Sequence, residues 1–310
     1  QGTKVQQADT SGINVRVLLS ASSAGGNIQV RSGLAELTKE NGEKEVLGSG
    51  SLVIARAGIK LVPQTTDTTF NIEYKSNKFK TYRGSIEIKP NPTGGIMTIN
   101  NIYIEDYLKG VVPGEVSASW NIEALKAQTI AARNYAYKNV KSGASYDLCD
   151  TPSCQVYLGS SYEFDSTNKA IEQTKGELLF YGNEIITAYY FSSSGGWTEN
   201  NENVWGGTPL PYLRGVPSPG EASPYNSWKT AAIGKSTLES YLNANSKTAV
   251  GKIEKIEILK RGVSGRVMAV KLIGSSGEKT VTGSAFKTAI NLGLPDGTTN
   301  YIRDILYGIK

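Results

Sequence analysis

The chain contains no histidine. That absence removes Ser-His-Asp and Cys-His catalysis, the histidine-bearing zinc sites and the imidazole general base. Acid–base chemistry must then fall on Asp, Glu, Lys, Tyr or Cys. Cysteine is scarce: the 310 residues hold 2, Cys149 and Cys154. Two cysteines this close read as either a small local disulfide or part of a metal site. No run approaches the roughly 18 apolar residues that a membrane-crossing helix needs. No signal peptide opens the chain; the first residues, "QGTKVQQADT", are polar and lack an initiator Met, so a removed upstream anchor or signal is expected. A concentrated basic stripe is also lacking. The net charge of +5 comes from 33 basic and 28 acidic residues mixed along the chain. That argues against dedicated nucleic-acid binding and is compatible with an anionic polymer such as cell wall.

What is present fits a folded protein: 39% hydrophobic and 20% charged residues are not the balance of a disordered chain. The first ~98 residues read as short β-strands separated by Gly, Pro, Asn and Asp. In "INVRVLLS", Ile13, Val15 and Val17 share one face. "IMTINNIYIEDYLKGVV" begins as a strand and becomes a short helix over 104–109, followed by a turn at Pro113-Gly114. The strongest helix spans 121–143, with Asn121 as N-cap, Glu123 in the first turn and Gly143 as the stop. Its many alanines let other elements approach closely, which suggests a central, buried position. Further on come a helix near 166–175, a hairpin through Tyr181-Gly182-Asn183, a polar glycine loop, a three-strand meander and a short C-terminal helix in "SAFKTAINLGL". The expected architecture is α+β, with antiparallel β-rich lobes around a central helix at about 121–142. Its parts are a β-rich stretch 1–98, a catalytic core 99–215 and a C-terminal meander with a short helix, 216–310, acting as one unit.

Four constellations carry chemistry. Glu115 follows the Pro113-Gly114 bend and precedes the Asn121 cap, so it would be held in one orientation and partly buried. The alternative is a carboxylate that merely solvates a helix start. Lys126 and Arg133, about two turns apart on the helix, share a face. They could orient an anionic or carbonyl-bearing group, or form an ordinary solvated stripe. In "CQVYLG", read as a strand, Gln155 and Tyr157 face one way, suited either to gripping a sugar or to a polar outer face. In "FSSSGGWTENNENVW", Ser194, Gly195, Thr198, several Asn and two Trp crowd one loop. That composition suits a carbohydrate groove, and equally a surface loop rich in turn formers.

"YRGSIEI", "INNIYIEDYLKGVVPGEVSASW", "EALKAQTIAARNYAY", "CDTPSCQVYLG", "AYYFSSSGGWTENNENVW" and "PYLRGV" together resemble the stage II sporulation protein D family, also known from amidase-enhancer proteins. The resemblance runs from about Ile13 to about Gly283, and "YLKGVVPGE…EALKAQTIAAR" is its most specific part. It implies a lytic transglycosylase that cleaves the β-1,4 bond between N-acetylmuramic acid and N-acetylglucosamine, leaving 1,6-anhydro ends. Glu115 stands at the position of the family's catalytic acid. Lys126 and Arg133 would support the site or the glycan, and Gln155, Tyr157, Ser194, Gly195 and Thr198 would bind substrate or line its groove. A hydrolytic variant would need a second carboxylate, for which Asp106 and Glu199 are the candidates. A non-catalytic, glycan-binding activator of an amidase is the runner-up. The implied partners are denuded peptidoglycan glycan strands, an amidase and a membrane component of the engulfment machinery, with no nucleic acid. The implied location is extracytoplasmic, with an N-terminal membrane anchor absent from this chain. Some members bind zinc here through two cysteines and histidines. With Ser153 before the second cysteine and no histidine, that site cannot form as such, and Asp147 or Asp150 would have to replace the missing ligands. No cofactor is expected, and a Cys149–Cys154 disulfide fits an extracytoplasmic protein better.

Overall fold

The computed structural model describes residues 2–20, 26–219 and 233–293. In chain order the strands before the first helix are β1 (Thr3–Gln7), β2 (Asn14–Leu19), β3 (Asn27–Ser32), β4 (Leu34–Thr38), β5 (Lys44–Gly48), β6 (Leu52–Ile54), β7 (Lys60–Pro63), β8 (Thr69–Lys75), β9 (Lys78–Tyr82), β10 (Ser85–Pro90) and β11 (Ile96–Tyr103). Two helices follow, α1 (Ile104–Glu115) and α2 (Ile122–Asn139), then β12 (Leu148–Cys149), α3 (Asp165–Gln173), β13 (Glu177–Tyr181) and β14 (Glu184–Ile185). The rest comprises α4 (Asn201–Trp205), α5 (Lys235–Asn243), β15 (Ile253–Arg261), β16 (Val267–Gly274), β17 (Gly277–Thr282) and α6 (Gly283–Gly293). The architecture is the mixed α+β type read from the sequence.

The chain divides into two compact units, Gln1–Tyr190 and Phe191–Lys310. The boundary falls inside the stretch read as 99–215. In the first unit, side-chain alternation builds the core. Val15, Val17 and Leu19 of β2 are buried while Arg16 and Leu18 between them are not. A seven-stranded sheet runs in the order β12-β2-β11-β10-β7-β4-β5, and a four-stranded sheet in the order β6-β3-β8-β9. Their apolar faces share one core, to which Val17, Ile28, Leu61, Phe70, Ile72 and Ile86 belong. Among the described residues all strand pairings are antiparallel except β12 on β2. β1 pairs with β13, which turns through Gly182-Asn183 into β14 as expected.

β11 passes directly into α1, and the Ile104 N–H donates to Ile13 O at 2.9 Å. Here the structure corrects the sequence reading: α1 does not stop near Lys109 but continues through Pro113-Gly114 to Glu115. Proline lacks the N–H for one intrahelical bond. The last turn is held instead by Val116 N–H to Val112 O, and by Leu158 N–H to Gly110 O from outside the helix. α2 starts as expected, with the Asn121 side chain accepting from the Glu123 N–H at 2.9 Å. It ends at Asn139, before Gly143. α2 packs against α1, α3 and β13 and buries Leu125, Thr129, Ala132, Arg133, Asn134 and Ala136.

The second unit carries the expected meander β15-β16-β17. Its core joins Leu242 of α5 and Phe286, Ala289 and Ile290 of α6 to Ile253, Val267, Val270 and Leu272. α5 has no counterpart in the sequence reading. The sequence-only segment 294–310 lies outside the described residues.

Candidate functional site

Glu115 is the last residue of α1 and is half-buried. Its Oε1 accepts the Val156 N–H at 2.8 Å. Two glycines on one face of α1 make that contact reachable. A Cβ on Gly110 would lie 2.6 Å from Cε2 of the Tyr157 ring, and one on Gly114 would lie 3.0 Å from Val156 Cγ1 and 3.1 Å from its carbonyl oxygen. The chain at 155–159 therefore lies directly on a bare stripe of helix. The Val156 and Leu158 N–H groups go to α1 and that of Tyr157 to Asp150 O at 3.3 Å, so the strand expected in "CQVYLG" does not form.

Behind Glu115 sits a buried polar cluster. The Gln155 side chain donates through Nε2 to Ala132 O at 3.3 Å and to the Tyr190 hydroxyl at 2.9 Å. Its Oε1 accepts from the Tyr107 hydroxyl at 3.3 Å. Tyr157 packs between Tyr107 and Tyr82, with ring centroids 4.9 and 5.6 Å away, and donates to Asn100 Oδ1 at 2.9 Å. Burial pushes the phenols of Tyr107 and Tyr157 well above their usual range. Tyr190 is also raised, first by burial and then by the charge of Glu115, against a lowering contribution from its hydrogen bond with Gln155. All three remain protonated donors at neutral pH.

Several expected site residues take other places. Gln155 and Tyr157 do share a face, but it points inward: they are 0% and 1% exposed, so neither grips a sugar at the surface. Arg133 is fully buried and ion-paired with Glu105 at 2.7 Å. Lys126 pairs with Glu123 at 2.8 Å near the surface. The two cations thus do not act from one face: helix packing takes Arg133 inside and leaves Lys126 outside. Asp106, one candidate second carboxylate, pairs with Lys109 at 2.7 Å.

Cys149 and Cys154 are disulfide-bonded. As a disulfide they offer no thiolate to a metal. Asp147 is engaged by the Arg16 side chain and by the N–H groups of Arg16 and Lys141. Asp150 accepts the Ser20 N–H at 3.0 Å. These residues do not fit the zinc site that the resemblance carries. Among the described residues no group of three or more Cys, Asp or Glu side chains is placed to hold a metal ion. Burial works against the charge of Asp147, but the Arg16 side chain and the two N–H donors outweigh it and hold the carboxyl below its ordinary range.

Ser194, Gly195 and Thr198 belong to the second unit. Ser194 is buried, 2% exposed, and its carbonyl accepts from Arg266 at 2.6 Å. Gly195 is exposed in the left-handed region, φ 65°. The Thr198 hydroxyl accepts the Val216 N–H at 2.8 Å. Glu199, the other candidate second carboxylate, is held by Asn203, by the Val263 N–H and by the Ser264 N–H and hydroxyl. Burial opposes its charge, yet the Ser264 hydroxyl and the Asn203 amide lead the donors that keep it below its usual range. Asn200 and Asn201 likewise brace the chain around 208–215. The amide-rich composition here serves the loop's own conformation.

Tyr107 and Tyr190 escaped the sequence reading. Tyr107 stands eight positions before Glu115, about two turns along the same helix, and that spacing was available once the helix was extended. Tyr190 carries no local pattern; only the fold brings it to Gln155.

Residues 92–181 match the model of the Stage II sporulation protein family, SpoIID. The matched stretch is shorter than the run of motifs and contains α1, α2 and Gln155. The amidase enhancer of Bacillus subtilis (strain 168) is 40% identical over 47% of this chain and 24% of its own length. Stage II sporulation protein D of the same organism is 35% identical over 50% of this chain and 51% of its own. The Bacillus amyloliquefaciens protein of that name is 36% identical over 39% and 40%. The chain spans between a quarter and a half of the length of these relatives.

Proposed function

Since residues 92–181 place the chain in the Stage II sporulation protein family, we propose that it is a peptidoglycan lytic transglycosylase with Glu115 as acid and then base. One observation carries this reading: a half-buried carboxylate at the end of α1, oriented by the Val156 N–H at 2.8 Å. The cations nearest in sequence, Lys109, Lys126 and Arg133, are each paired with another carboxylate and leave Glu115 available for proton transfer.

A hydrolytic glycosidase uses two carboxylates across the scissile bond. Here one suffices. The Glu115 carboxylic acid gives its proton to the glycosidic oxygen as the C1–O bond of the N-acetylmuramic acid residue breaks. The N-acetylglucosamine side leaves with a hydroxyl. The C6 hydroxyl oxygen then bonds to C1, and its proton goes to the Glu115 carboxylate. The acid is regenerated and no water is consumed. The role of the positioned carboxylate is to be within hydrogen-bond reach of both oxygens in turn.

The substrate on this reading is the glycan strand after an amidase has removed its stem peptides. The setting is extracytoplasmic wall remodelling in sporulation, with an anchor supplied by chain outside this sequence. The test is Glu115→Gln. Mass spectrometry of digests of denuded glycan is expected to find products lighter by one water than hydrolytic fragments with the unmodified protein and none with the variant, the circular dichroism spectra being the same. Unchanged product formation by the variant refutes the mechanism. The name of the Bacillus subtilis amidase enhancer favours a second reading, a glycan-binding activator of an amidase. Binding of denuded glycan without any anhydro product supports that one instead.

A further inference from the structure

We propose that Tyr190 is a positioning residue for Glu115, its hydroxyl donating to the carboxylate in a direction fixed by Gln155 and Tyr107. The inference rests on Glu115 being the proton-transferring group.

The argument is a count of donors. An amide oxygen only accepts and an amide nitrogen only donates. Gln155 Nε2 faces the Ala132 carbonyl at 3.3 Å, and its Oε1 faces the Tyr107 hydroxyl at 3.3 Å. Turning the amide over would set two oxygens against each other at Ala132, so its orientation is determined. The same Nε2 donates to the Tyr190 oxygen at 2.9 Å. The Tyr190 oxygen is therefore an acceptor there, and its own proton points away from Gln155. Gln155 and Val156 are neighbours in the chain, and the Val156 N–H holds Glu115 Oε1 at 2.8 Å. One dipeptide thus fixes both the phenol and the carboxylate. The charge of Glu115 reaches the phenol, and burial together with that charge keeps it protonated.

Such a donor suits a residue that is acid first and base second. It is strongest when Glu115 has just released its proton and become a carboxylate, and it weakens when the proton returns. Being neutral, it does not trap Glu115 in a permanent ion pair. The Val156 N–H and the Tyr190 hydroxyl together hold the carboxylate in one rotamer without using it up.

Tyr190→Phe removes the hydroxyl and keeps the ring. On denuded glycan the variant is expected to lose about 10–100-fold in kcat, the effect of one hydrogen bond to an ionised group. KM should stay within about twofold, and the alkaline limb of the pH–rate profile should move to higher pH. A readout independent of turnover is the carboxyl 13C resonance of Glu115, assigned by its loss in Glu115→Gln. Its titration should be displaced to higher pH in Tyr190→Phe. A wild-type titration in the variant, or a raised KM with kcat unchanged, overturns the proposal. If neither wild type nor any variant cleaves glycan, the transglycosylase reading fails, while the 13C titration still decides the link between Tyr190 and Glu115.

Discussion

Replacing Arg133 with methionine tests what the guanidinium inside α2 is for. Arg133 meets Glu105 through Nε at 3.0 and 3.2 Å and through Nη2 at 2.7 Å. The two side chains are 0% and 6% exposed. Methionine fills a similar volume but strands the Glu105 carboxylate in the core, with the Thr10 hydroxyl and the Gly176 N–H, both at 3.2 Å, as its remaining donors. Removing one partner of a buried pair costs about 3–5 kcal/mol, because the other charge is left uncompensated. At about 2–4 °C per kcal/mol for a unit of this size, the melting temperature should fall by about 6–20 °C. Thermal circular dichroism at neutral pH reads the shift, and moderate salt should leave it unchanged because the pair is screened little. A Glu105→Gln/Arg133→Met double variant should recover part of the loss, since the stranded charge is gone. The reasoning is refuted if Arg133→Met melts within about 1 °C of wild type while glycan cleavage is lost. That outcome would return Arg133 to the substrate.

Two further changes probe the frame of the site. Gly110→Ala gains up to about 1 kcal/mol of helix propensity, but its Cβ would sit 2.6 Å from the buried Tyr157 ring and 3.1 Å from the Gly159 carbonyl. Overpacking prevails, for a net loss of about 1–2 kcal/mol in denaturant titration; a stabilised variant would refute the close contact. Asp147→Asn tests a carboxyl held below its ordinary range. A depressed carboxylate contributes stability that is present above the unfolded value of about 3.9 and is lost as pH falls through the lower folded value. The melting-temperature gap between wild type and Asp147→Asn should be widest near neutral pH and close in strong acid. A gap that is constant across that range contradicts the linkage.

Much of the frame is legible in local residue order, because it depends on neighbours a few positions apart. The alternation of Val15 and Val17, the Asn121 cap, the turn at Gly182-Asn183 and the C-terminal meander all follow from such short-range rules. The absence of histidine, read directly from composition, left acid–base chemistry to Asp, Glu, Lys, Tyr or Cys, a set that includes Glu115.

What sequence reasoning missed depends on contacts between distant segments. The motif "VVPGE" looked like a turn because proline and glycine usually break helices. In the fold they end one instead, since Leu158 supplies the Gly110 carbonyl with a partner and the bare glycine stripe receives Val156 and Tyr157. Arg133 and Tyr157 carried the pattern of a binding surface, and tertiary packing turned both inward, one to Glu105 and one to Tyr107. The residue order placed a carboxylate directly after Pro113-Gly114, and the family resemblance singled out Glu115 as the candidate acid. Only the tertiary structure decided which group holds that acid, because a hydrogen bond from the Val156 N–H is set by distance in space and leaves no period in the chain.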